Sequence, residues 1–102
     1  MQQSLFIYRY LLLVPPTITN RSNAIRDVEE GDNVKLLCEA SGDPTPSIEW
    51  WNNGVLLQSR NTTTELHLQN IERREGGSYV CTAKNRAGAV SHSVLVRVVR
   101  CK

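Results

Sequence analysis

Asn33-Val34-Lys35-Leu36-Leu37-Cys38-Glu39-Ala40 is the stretch on which the fold turns. Val34, Leu36, Cys38 and Ala40 fall on one side of an extended chain, and Lys35, Leu37 and Glu39 on the other. A period of two with one apolar side is a strand half-buried against a core. The alternation returns at Ser47-Ile48-Glu49-Trp50, with Ile48 and Trp50 inward and Glu49 and Trp51 outward. It returns again from Glu65 to Asn70, where Leu66 and Leu68 face in and Ile71 closes the end. From Ser78 to Lys84 the inward residues are Tyr79, Cys81 and Ala83; from Ala89 to Val99 they are Val94, Val96 and Val98. Nowhere does an apolar period of about 3.6 residues run long enough for a helix of note. The chain reads as all-β.

The segments between these runs read as turns and edges. Thr17-Ile18-Thr19 is a first edge strand, Asn20 to Asn23 is turn-like, and Ala24 to Val28 is a short second edge segment. Ser41-Gly42-Asp43-Pro44-Thr45-Pro46 reads as a loop between sheets, because its prolines remove ladder donors. Asn52-Asn53-Gly54 is a hairpin signal, since Asn and Gly accept positive φ. Val55-Leu56-Leu57 is then a short return strand, and Gln58 to Thr63 a polar edge. Glu72 to Gly77 is a corner. Asn85-Arg86-Ala87-Gly88 is a second hairpin loop, with Gly88 expected in a left-handed conformation.

Outward from the strands, the whole chain sets limits. Its 102 residues hold one domain and little else. A net charge of +2 is too mild to point to nucleic acid or an anionic membrane. The cysteine count of 3 is odd, so any pairing leaves one over. Asn20-Arg21-Ser22 and Asn61-Thr62-Thr63 are glycosylation sequons, and they favour a secretory compartment.

Residues 1–14 form an apolar extension broken by Arg9. It lacks the basic start and small-residue cut of a signal peptide and is too short for a membrane span. Three readings stay open: the last strand of a preceding domain, a signal remnant or artefact, or an added strand of this domain. Pro15-Pro16 follows as a stiff joint, because proline fixes its own φ and biases its predecessor to extended geometry. The domain is read as 15–99, with 100–102 as a tail.

Two segments resemble the intermediate (I-set) immunoglobulin domain: Glu30 to Trp50, running through Cys38-Glu39-Ala40-Ser41-Gly42-Asp43-Pro44, and Gly77-Ser78-Tyr79-Val80-Cys81-Thr82-Ala83-Lys84-Asn85-Arg86-Ala87-Gly88. The resemblance covers roughly Pro15 to Val99. It implies a two-sheet antiparallel Greek-key sandwich of seven to nine strands. It also implies a disulfide between Cys38 and Cys81, with Trp50 packed against it and Leu68 and Tyr79 in the core. The Tyr79 hydroxyl is expected to return to the backbone ahead of its strand. One residue departs from the family pattern: Glu75 stands where the family usually has Asp, so the carboxylate that bonds the corner backbone sits on a longer arm. Val14-Pro15-Pro16-Thr17-Ile18 is similar to the join between domains in neural adhesion proteins of the lachesin and IgLON type.

No catalytic, metal or cofactor constellation emerges. Cys38 and Cys81 lack CxxC spacing, and His67 and His92 lie at no ligand spacing with each other or a cysteine. No nucleophile motif frames a serine, and the glycines fall at turns rather than in a phosphate loop. Cys101 reads as a free thiol or a boundary scar, with an intermolecular bridge as the alternative. Arg97, Arg100 and Lys102 form one small basic end and Arg73-Arg74 another, which makes heparan sulfate a weak candidate partner. Trp51, next to the inward Trp50, points outward beside Val80, Thr82 and Leu95, and an exposed aromatic among aliphatics is an interface anchor. The resemblance therefore implies an extracellular recognition module of an adhesion protein or receptor, binding other immunoglobulin-like domains, homophilically or heterophilically. Two alternatives stand beside it. One is a spacer in a matrix or sarcomeric chain; the other is an accessory domain of an enzyme or receptor kinase. The domain itself is expected to be no enzyme.

Overall fold

The computed structural model describes residues 13–61 and 63–99. Among them are β1 (Val14–Arg21), β2 (Ile25–Glu29), β3 (Val34–Asp43), β4 (Ser47–Asn52), β5 (Val55–Asn61), β6 (Thr63–Leu68), β7 (Gly77–Asn85) and β8 (Gly88–Val99). A 3-10 turn, Arg73–Glu75, lies between β6 and β7. The strands form a three-stranded sheet ordered β1-β3-β6 and a five-stranded sheet ordered β2-β8-β7-β4-β5. The β1–β2, β2–β3, β3–β4, β5–β6 and β6–β7 connections cross between sheets, as a Greek-key sandwich requires.

Side-chain alternation builds the core. The inward residues of β3, β4, β7 and β8 meet between the layers, and Leu36, Cys38, Ile48, Trp50, Cys81, Ala83 and Val94 are fully buried. Each large apolar side chain so buried contributes about 1.5–3 kcal/mol. Ile71 closes one end: its N–H donates to the Asp32 carbonyl at 2.9 Å and its carbonyl accepts from Gly31 N–H at 2.8 Å. Leu68 and Val98, expected inside, are only partly buried against this cluster.

The structure corrects several expectations. Pro15 and Pro16 lie within β1 rather than before it, because β1 is an edge strand and a register shift between Val14 and Thr17 absorbs them. Asn20 and Arg21 continue the β1 ladder opposite Glu39 and Cys38 instead of turning. β3 runs to Asp43, since residues 41–43 keep their amide donors until Pro44. Gln58 to Asn61 belong to the same strand as Val55, and a bulge at Leu57 resets the register between Trp51↔Leu56 and Trp50↔Gln58.

The sandwich is antiparallel except at β2, which runs parallel to β8. Ser22, Asn23 and Ala24 carry the chain across without reversing it. Ser22 still bonds the first sheet, its N–H to the Leu37 carbonyl at 3.0 Å and its Oγ from Leu37 N–H at 2.8 Å. Ala24 already bonds the second, its carbonyl accepting Leu95 N–H at 2.8 Å.

Asn53 (φ 51°) and Gly54 (φ 75°) take the left-handed values of the expected β4–β5 hairpin. Gly88 does not: its φ is not positive, because Arg86 and Ala87 form the turn and Asn85 pairs with Gly88. Asn85 stabilises this end with its side chain. Its Oδ1 accepts Ala87 N–H at 2.8 Å, and its Nδ2 donates to the carbonyls of Pro44 at 2.8 Å and Val14 at 2.9 Å.

Candidate functional site

Cys38 of β3 and Cys81 of β7 are joined by a disulfide across the two sheets, with Cα atoms 6.5 Å apart. Trp50 pairs with Cys81 in the adjoining ladder and is fully buried. Its indole Nε1 has no hydrogen-bond partner among the described residues. Tyr79 is buried at the other end of β7, and its hydroxyl donates to the Glu75 carbonyl. Burial, and secondarily the nearby Glu75 charge, raise that phenol above its ordinary pKa. The longer arm of Glu75 reaches the corner backbone, where its Oε1 accepts Glu72 N–H at 2.8 Å and caps the 3-10 turn. These groups hold the fold and leave no reactive surface.

The outward side of the five-stranded sheet is the candidate site. β4 turns Glu49 and Trp51 to this side, and the register sets Trp51 between Leu56 of β5 and Val80 of β7. Trp51 is half-buried, and its Nε1 donates to Glu49 Oε1 at 3.3 Å. Glu49 Oε2 lies 3.2 Å from Lys84 Nζ, so the carboxylate is held from both sides. The indole therefore sits in a fixed orientation. Thr82 lies in the neighbouring row, opposite Glu49, and its Oγ1 is 2.9 Å from Ser91 Oγ. Leu95 pairs with Ser78, one row diagonal from Val80, and is 42% exposed.

Two residues of this face were not evident from the sequence. Leu56 is 46% exposed beside Trp51, and folding the Asn53-Gly54 hairpin back on itself would have placed it there. Ile25 is 53% exposed and pairs with Leu95. No local signal could have placed it, because its neighbour comes from the parallel β2–β8 pairing.

The sequons lie on edge strands. Asn20 is exposed on β1, and its Nδ2 donates to Glu39 Oε1 at 2.8 Å. Asn61 is exposed at the end of β5 and pairs with Ser47. It thus shares the outward side with Trp51, but about 13 Å along the strand at about 3.3 Å per residue.

Among the described residues, two cations of the basic ends are paired with carboxylates. Arg97 makes a two-point ion pair with Asp27, Nε–Oδ1 at 2.6 Å and Nη2–Oδ2 at 2.9 Å. That bond holds the Asp27 carboxyl below the usual carboxylate range. Arg74 Nε is 2.6 Å from Glu72 Oε2. With Arg97 and Arg74 paired in this way, nothing among the described residues supports the heparan sulfate expectation. Arg100, Cys101 and Lys102, and the extension 1–12, lie outside the described residues. His67 Nε2 is 3.3 Å from Glu65 Oε1, and His92 Nε2 is 2.8 Å from the Ser22 carbonyl. No group of three potential metal ligands occurs among the described residues.

A family model described as "Immunoglobulin domain" matches residues 15–85. Among curated proteins, the neural cell adhesion molecule L1-like protein of Mus musculus is 38% identical over 92 residues, 85% of this chain and 8% of that protein. The neuronal cell adhesion molecule of Gallus gallus is 33% identical over 99 residues, 84% of this chain and 8% of that protein. This chain thus spans less than a tenth of either relative's length. Among solved structures, Sidekick-1 immunoglobulin domains 1–5 give a TM-score of 0.76 at 26% identity, covering 87% of this chain and 20% of that one. The titin M10–obscurin-like 1 Ig complex gives 0.75 at 26% identity, covering 87% and 98%.

Proposed function

Because this chain belongs to the immunoglobulin domain family, we propose that it is an extracellular recognition module of a larger adhesion or receptor-type protein. In this reading the 15–99 sandwich docks another immunoglobulin-like domain through the outer face of its five-stranded sheet. The observation that carries the proposal is Trp51, held by Glu49 and Lys84 between Leu56 and Val80. A rigid aromatic anchor loses little side-chain freedom on binding, and such residues dominate interface energetics. The relatives named as cell adhesion molecules support the setting, and the family stands among recognition and structural proteins rather than enzymes.

Trp51→Ala tests the face. Binding should weaken by at least about tenfold, as for an interface hot spot. The readout is surface plasmon resonance against a panel of purified immunoglobulin-domain ectodomains. The melting temperature should shift by only a few degrees, because the indole lies outside the core. Unchanged affinity for a partner that wild type binds would remove Trp51 from the site.

The sequons test the compartment. Protein secreted from mammalian cells should lose mass on glycosidase treatment at Asn20, Asn61 or both, and a sugar at Asn61 would border the Trp51 face at its far end. No mass loss would count against the secretory setting. The titin neighbours favour a second reading, a structural spacer of a matrix or sarcomeric chain. Failure of every ectodomain in the panel to bind would favour it.

A further inference from the structure

Among the described residues, four strands have an open flank: β1 and β6 in one sheet, β2 and β5 in the other. An open flank is a template for another chain, and folded proteins blunt it with proline, charge, shortness or a bulge. β1 carries Pro15, Pro16 and two register shifts. β2 is only 5 residues long and holds Arg26, Asp27 and Glu29. β6 holds Glu65 and His67. β5 differs. Its 7 residues contain no proline and one charge, Arg60, near the C-terminal end. Its first residues, Val55, Leu56 and Leu57, are 59%, 46% and 42% exposed. The one blunting device on that half is the bulge at Leu57, and Val55 and Leu56 remain in register with Asn52 and Trp51.

We propose that the N-terminal half of β5 pairs antiparallel with the same segment of a second copy, so that the two five-stranded sheets continue as one. An antiparallel edge is its own complement about a two-fold axis. An axis at Leu56 lays Val55 on Leu57 of the copy and Leu56 on Leu56. It carries Arg60 past the copy's Asn53-Gly54 turn into solvent, so no like charges oppose each other. Three apolar residues per copy bury far less than the about 1,200 Å² of a stable interface, so the pairing is weak and gains from multivalent display. Leu56 also borders the Trp51 face, but the pairing does not use the indole, so Trp51→Ala separates it from the recognition reading.

Sedimentation equilibrium of the oxidised, sugar-free chain from about 10 μM to about 1 mM covers the range of a weak interface. The average mass should climb toward twice the monomer's. The double variant Val55→Lys/Leu57→Lys should stay monomeric, and Trp51→Ala should associate like wild type. Amide hydrogen exchange of the unmodified protein reads the same pairing without any substitution: exchange at Val55 to Leu57 should slow as concentration rises. A wild type that stays monomeric overturns the proposal. So does association that survives the double variant or is abolished by Trp51→Ala, and so does exchange at β5 that ignores concentration.

Discussion

Replacing Cys38 and Cys81 together by alanine is expected to cost about 4 kcal/mol, the chain-entropy value for a loop of this length. The bridge ties residues 43 apart in sequence, one in each sheet. Without it the unfolded chain regains the freedom that the cross-link denies it, and the two layers must hold each other by packing alone. A domain of this size has about 5–15 kcal/mol in all. The loss is therefore a large fraction of the total, and the variant should be partly unfolded near body temperature. Urea titration of the oxidised protein against the double-alanine variant measures the effect without disturbing Cys101. A difference below about 1 kcal/mol would mean that packing alone holds the layers together, far from the loop-closure expectation.

Trp50→Ala should cost about 3–5 kcal/mol, the range for deleting a large buried aromatic. Trp50 is fully buried, with Ile48 and Cys81 beside it, so the neighbours cannot collapse into the space without breaking their own contacts. Trp50→Phe separates the causes. The indole N–H is buried without a partner among the described residues, so losing it forfeits no hydrogen bond there, and the phenyl ring refills most of the cavity. The Phe variant should therefore retain well over half of the stability that Ala loses. Equal losses for Phe and Ala would show that the N–H is bonded in solution, by a water for example. The contrast with Trp51 is instructive. The adjacent tryptophan, on the opposite side of the same strand, should cost binding rather than stability.

Much of this molecule follows from local chemistry that a sequence displays. Alternation alone settled which side chains of β3, β4, β7 and β8 face inward, because the strand backbone sends successive Cβ atoms to opposite sides. The same rule put Trp51 and Val80 on the outer side, and the ladder makes them neighbours. Asn53-Gly54 declared its hairpin because few other residues accept positive φ at both positions. Where the reading failed, the deciding interaction was not local. Thr64 falls between the polar edge read at Gln58 to Thr63 and the alternation read from Glu65, yet it is 4% exposed and its hydroxyl bonds the Gln58 amide from the other sheet. Gln58 faces inward only because the bulge at Leu57 shifts the register by one residue.

The sequence by itself therefore determined the layers, the residues that fill them and the side of the sheet on which Trp51 stands. These depend on strand periodicity and on turn chemistry that spans only a few residues. The tertiary structure decided that β2 runs parallel to β8, that Ile25 thereby joins Leu95, and that Arg97 is neutralised by Asp27 from 70 residues away. Such pairings are chosen by the register of the whole sandwich, whose energy is shared among many strands at once, so no short window of residues contains them.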